Sequence, residues 1–226
     1  MMAAARRAVG QGRRPEVRAL ARRCRVSARA LHATPLEEAR FVVIDMEATG
    51  PRPYAGDRAV SIALLELRGL RPTGRTYERL LDPGRPVSEA ARRLHGLDRE
   101  ALRGEPRLED VLAEVLDFLG TAVLVGHHIG FDLRLLNRAL RARALRPLPH
   151  PWVDTALLYG ALTGRPARVR LEDVARFCHV PVTGRHTAPG DARITAQVFV
   201  RLAARLAGRG ASVGELIERQ LACPGP

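Results

Sequence analysis

The chain has 226 residues, 46% of them apolar, and three cysteines with no close spacing, which excludes a disordered tract, a disulfide framework and a cysteine-built zinc cluster. No Lys occurs, so all 37 basic residues are Arg; against 24 acids they leave a formal charge of +13, and an anionic partner is expected. Residues 1–40 hold ten Arg and three Glu, so the head is strongly basic and the remainder only mildly so.

In chain order, residues 1–14 are read as a basic arm. The stretch "PEVRALARRCRVSARAL" (15–31) places Val17, Leu20, Ala21 and Cys24 at helical spacing, a candidate docking helix, with a solvated tail as the alternative. The Arg-rich, acid-poor head also suits a transit peptide, the minority reading. No apolar run reaches membrane-spanning length, so no membrane partner is expected, and the scattered thiols suit a reducing, cytoplasmic setting. "FVVIDME" reads as a central strand because both of its faces are apolar. "TGPRPYAGD" is a loop, and "RAVSIALLEL" and "TYERLLDP" are antiparallel strands. "PVSEAARRLHGLDREAL" is expected to form two short helical pieces broken at Gly96. "LEDVLAEVLDFLG" carries an apolar stripe from Leu108 to Leu119 and ends at Gly120. "TAVLVGHH" is a buried strand and "IGFDLRLLNRALRARAL" a helix. "VDTALLYGAL" and "LEDVARFC" are short helices, the first capped by Asp154. "GDARITAQVFVRLAARLAGRG" is the long last helix of the body, with Arg201, Arg205 and Arg209 on a solvated face, and "ASVGELIERQLA" adds one more. Trp152 is expected in the core, and Cys178 is expected to be a buried thiol rather than a metal partner of His179. The domain boundaries follow: a basic extension over 1–35, flexible or partly helical, a body over 36–210, and a C-terminal helix and tail over 211–226.

Asp45 and Glu47 do not belong at the lip of a core. Two apart on a strand, they share one face and repel. An unpaired buried carboxylate costs several kcal/mol, and a divalent cation removes that cost. Taken alone, a polar strand end explains them. Asp132 follows a second buried strand in the first turn of a helix. His186 lies five residues before Asp191, with Thr187 as the cap between them.

The ordered set "VIDMEATG", "VGHHIGFDLRLL" and "RHTAPGDARITAQVF" resembles the three motifs of the DnaQ-like DEDDh 3′–5′ exonucleases, the family of the DNA polymerase III epsilon subunit, over residues 40–208. The resemblance implies an α/β ribonuclease H-like fold with a mixed five-stranded sheet flanked by helices. It implies that Asp45, Glu47, Asp132 and Asp191 hold two divalent metal ions, Mg²⁺ or Mn²⁺, with His186 as general base. Backbone groups at Ala48, Thr49 and Gly50 would meet the terminal sugar. His95 and Phe131 would flank the last base, with a loop hydrogen bond and a core aromatic as their alternatives. The chain departs from the family pattern at Ala48, usually Thr, and at His128, where Asn is common. The function so implied is removal of nucleoside 5′-monophosphates from the 3′ end of DNA, single-stranded or frayed. Alternatives are an exoribonuclease and a non-catalytic polymerase accessory. DNA polymerase association is a candidate partnership, with a free-standing repair or scavenging enzyme preferred.

Overall fold

The strand that the sequence marks most strongly lies at the centre of the molecule. In the computed structural model, which describes residues 14–24, 28–208 and 210–224, β1 (Arg40–Ala48) is the middle strand of a five-stranded sheet. The basic arm up to residue 13 and Arg209 lie outside the described residues. On one side β2 (Ala59–Arg68) and β3 (Arg71–Leu80) run antiparallel. On the other, β4 (Val123–Gly126) and β5 (Trp152–Asp154) pair in parallel. The order is β3-β2-β1-β4-β5, a mixed sheet in which a two-residue turn joins antiparallel β2 and β3, the 49–58 loop joins antiparallel β1 and β2, and a helical crossover joins parallel β4 and β5.

Strand alternation sorts β1 into two layers. Val42, Ile44 and Met46 face α4 (Leu112–Leu119) and α5 (Gly130–Ala142), whose Leu112, Leu116, Leu135, Leu136 and Leu140 complete that half of the core. Phe41 and Val43 face α8 (Ala188–Leu206), where the Phe41 and Phe199 rings lie 5.0 Å apart. The same layer holds α6 (Thr155–Thr163), α7 (Leu171–Phe177) and α9 (Val213–Leu221). Asp45 and Glu47 continue the Phe41–Val43 face. They therefore point into the α8 layer, at the end of the sheet where β1 has outrun its β4 pairing, which stops at Val43.

The N-terminal segment packs on this body. α1 (Arg14–Arg23) buries Val17 against the α4 side, and Cys24 just beyond it brings its Sγ to 3.5 Å from the Leu116 carbonyl. After α2 (Ala28–Ala33), the chain is tied to the start of α9: Val213 N–H donates to Thr34 O and Leu36 N–H to Ala211 O, both at 2.9 Å.

Several local expectations are corrected. Only one helix, α3 (Glu89–His95), forms in 87–103. Gly96 caps it in the left-handed region at φ 75°, and the Asp98 carboxylate then takes the N–H groups of Glu100 and Ala101, holding a turn instead of a second helix. α4 begins at Leu112, a full turn later than the stripe from Leu108 suggested, and Trp152 is 38% exposed on β5 rather than in the core. Cys178 is buried, and Asp154 caps α6 as expected.

Candidate active site

Three carboxylates meet where β1 and the start of α8 approach. Oxygens of Asp45, Glu47 and Asp191 all lie within 4.8 Å of one another. Asp45 and Glu47 reach this point by strand alternation opposite Ala63 and Ser61 of β2. Asp191 arrives from the first turn of α8, which Thr187 caps by accepting the Gly190 N–H at 3.2 Å. Burial pushes the Asp45 carboxyl well above the usual carboxylate range, reinforced by Asp132, Asp191 and Glu47. Glu47 is pushed up to about 7, first by burial and then by Asp191.

Asp132 stands beside this trio, outside the set of mutually close oxygens, and its charge is among the causes that raise Asp45. Its own carboxyl is raised by burial, although hydrogen bonds from the backbone N–H groups of Asp132 and Met46 act in the other direction. The Met46 contact is available because β1 is free of β4 beyond Val43. Asp154, at the end of β5, sets the turn that delivers Asp132. Its carboxylate accepts the N–H groups of Ala156 at 2.9 Å, His128 at 3.0 Å and Ile129 at 3.1 Å. His128 there adopts a left-handed backbone, φ 54°, which a residue with a side chain takes up only when its surroundings hold it. The rings of His127 and His128 both approach the Val169 carbonyl at 2.9 Å. Burial lowers His127 to about 4, so it is neutral near physiological pH and donates through Nε2.

His186 sits on the loop before the Thr187 cap, half-buried and with φ 61°. It is not among the mutually close ligand atoms. Its neighbour Arg185 enters the site instead: one guanidinium nitrogen donates to Asp191 Oδ2 and another to Glu172 Oε1 at 2.8 Å. Arg185 opens the third quoted motif with no role attached to it, and Glu172 lies outside the motifs. One Arg among 37 carries no pattern, and Glu172 reads as an ordinary acid at a helix start.

The expected substrate contacts separate into two groups. Thr49 is buried and committed within the chain: its N–H donates to Arg58 O at 2.8 Å, its carbonyl accepts Ser88 N–H at 3.0 Å, and its hydroxyl meets Asp57 at 2.8 Å. Asp57 also fills the space a side chain on Gly50 would need, with Oδ2 2.6 Å from where a Cβ would be. His95 Nδ1 accepts the Leu97 N–H at 3.1 Å, so its Nε2 donates to Ala48 O at 3.2 Å. That bond links α3 to the end of β1. Phe131 is half-buried against the α4–α5 core, next to Asp132.

The donor set fits hard divalent cations. It is all carboxylate oxygen, the preference of Mg²⁺ and Mn²⁺. Among the described residues Asp191 Oδ1 is buried with no hydrogen-bond partner, and neighbouring acids stay desolvated with only Arg185 to offset them.

Comparison with known proteins places the fold and the family. The family model described as exonuclease, of RNase T type, matches residues 42–199. A DNA polymerase III subunit epsilon-like protein of Rhodobacter capsulatus is 35% identical over 184 residues, covering 80% of this chain but 26% of its own length. PolC-type DNA polymerase III of Thermotoga maritima is 31% identical over 164 residues, with 73% of this chain and 12% of the relative covered. The chain thus spans a minor part of these relatives. The DNA polymerase III subunit epsilon of Aquifex aeolicus is matched over 82% of its length and 74% of this chain, at 28% identity. Two solved structures share the fold. Exonuclease X in complex with 5′-overhanging duplex DNA has a TM-score of 0.62 and 21% identity, covering 78% of this chain and 99% of that one. The nuclease domain of 3′hExo, a DEDDh family member bound to rAMP, has a TM-score of 0.65 and 19% identity, covering 74% and 93%. With its five-stranded sheet and a family match over most of its length, the chain belongs to the exonuclease family of RNase T type.

Proposed function

We propose that the chain removes nucleoside 5′-monophosphates one at a time from the 3′ end of DNA, on single strands or frayed ends. The observation that supports this most directly is the convergence of the Asp45, Glu47 and Asp191 oxygens within 4.8 Å, with Asp132 alongside. Asp45, Glu47, Asp132 and Asp191 would hold two divalent ions, Mg²⁺ or Mn²⁺. Such ions, when bound, neutralise charge developing on phosphodiester oxygens and acidify water. His186 accepts a proton from the attacking water as the new P–O bond forms and the bond to the preceding nucleotide's 3′ oxygen breaks. Its loop position just before Thr187 leaves the imbalance of buried acids to the strand and helix, and keeps the imidazole half-exposed at their edge. Asp154 keeps Asp132 in register through the β4–α5 turn. His95 fixes the end of β1 through Ala48, and Phe131 and His95 flank the terminal base. The basic head supplies sequence-independent phosphate contact. Association with a DNA polymerase is a proposal drawn from the epsilon-named relatives.

The test is mass spectrometry of products from 5′-labelled deoxyribo- and ribo-oligonucleotides of one sequence, with Mg²⁺, Mn²⁺ or chelator. Release of 5′-mononucleotides from deoxyribo 3′ ends, lost in chelator, is the expected result. Faster shortening of the ribo strand would assign the enzyme to RNA. Internal fragments, or shortening that persists in chelator, would overturn the proposal.

A further inference from the structure

Arg185 is the least expected group in the site. Its guanidinium bridges a carboxylate that the catalytic reading assigns to metal, Asp191, and one that it does not, Glu172 on α7. All three side chains are about a quarter exposed or less. The bridge is incomplete: Arg185 Nε, Glu172 Oε2 and Asp191 Oδ1 are buried and, among the described residues, lack hydrogen-bond partners. A buried ionic network in which each member has an unmet group is a poor permanent structure. It suits an arrangement that is meant to change.

We infer that Arg185 is a built-in counter-cation that positions Asp191 in the metal-free protein and gives up that carboxylate when a divalent ion binds. The inference rests on the metal-site reading above. With the guanidinium on Asp191 Oδ2 and the free Oδ1 offered to a divalent cation, two positive charges would meet across one carboxylate and repel, so the two compete for Asp191. Glu172 makes the exchange feasible. Released from Asp191, the guanidinium keeps a carboxylate partner and is not left buried and unpaired, the arrangement that costs most. Arg rather than Lys suits this role, because its planar fork reaches two carboxylates at once.

The experiment compares wild type with Arg185→Gln and Arg185→Lys in two measurements: Mn²⁺ binding, followed by the electron paramagnetic resonance of free Mn²⁺, and thermal unfolding in chelator and in saturating Mn²⁺. Removing the competitor should tighten Mn²⁺ binding on the order of tenfold, within the range usual for coupling between two ligands. Arg185→Gln should melt below wild type in chelator, and the two should converge in saturating Mn²⁺. Arg185→Lys, which keeps the charge but loses the fork, should fall between them and covers the case in which the Gln variant does not fold without metal. A salt bridge that merely stabilised the fold would lower both melting points and leave Mn²⁺ affinity alone. Unchanged or weaker Mn²⁺ binding by both variants overturns the inference while the metal site stands. If wild type binds no Mn²⁺, or Asp45→Asn binds it equally well, the metal-site reading fails and this inference with it.

Discussion

The acidic cluster should make the metal-free protein less stable as pH rises, and Glu47 allows the size to be worked out. Its carboxyl is held at about 7 against an ordinary 4.5. The folded chain therefore keeps a proton that the unfolded chain has already released. Stability falls as pH climbs through that window and levels off above it. Fully expressed, the difference is about 3 kcal/mol. Glu47→Gln has no proton to lose at that position and keeps nearly the same shape. In chelator at about pH 8 the variant should be more stable than wild type by up to about 3 kcal/mol, and near pH 4.5 the two should converge. For a chain of this length that is a melting-point gain of roughly 6–12 °C. The assay is thermal and urea unfolding of both proteins in chelator across this pH range. In Mn²⁺ the order should reverse, because only wild type offers the full oxygen set to the ion. A variant that matches or falls below wild type in chelator at about pH 8 would show that Glu47 is neither desolvated nor crowded by Asp191, and the electrostatic account of the site would fail.

Three further outcomes follow from the same geometry. His186→Ala should lower kcat by about 10²–10⁴-fold, the usual contribution of a general base, while oligonucleotide affinity and melting in chelator hold; turnover within a few fold of wild type would remove His186 from the chemistry. Asp154→Asn should weaken the three backbone hydrogen bonds that shape the β4–α5 turn, costing about 1–3 kcal/mol in urea unfolding and lowering kcat through a displaced Asp132; an unchanged kcat would mean that the turn does not govern Asp132. Deleting residues 1–13 removes Arg6, Arg7 and Arg13 and should flatten the salt dependence of single-strand binding by up to about two logarithmic units of slope, with hydrolysis of a short oligonucleotide unaffected; an identical slope would take the arm off the nucleic acid. This truncation stops short of Val17, Cys24, Thr34 and Leu36, which are packed against or bonded to the body, so it leaves the fold intact.

The sequence made β1 legible because an apolar run with both faces buried cannot end in Asp45 and Glu47 without a compensating partner. The same held for α8, whose Thr187 cap and Asp191 stand at the helix start as their order suggests. Where the reading failed, a local competitor had won. Asp98 captured two N–H groups that a second helix after Gly96 would have used. Trp152 was expected in the core, yet β5 is a three-residue edge strand with one open face.

The deeper gap concerns charge balance, which exists only in space. Periodicity and spacing can show that an acid sits where water is scarce, because both are properties of one segment. They cannot show which cation answers it, since Glu172, Arg185 and Asp191 reach one another only after α7, the 184–187 loop and α8 have packed against β1. Motifs therefore locate the acids and leave unread the cation that answers them. The metal-free molecule needs a second account, in which a cation of its own stands among the same carboxylates, and the order of stability between wild type and Glu47→Gln in chelator is where the two accounts meet.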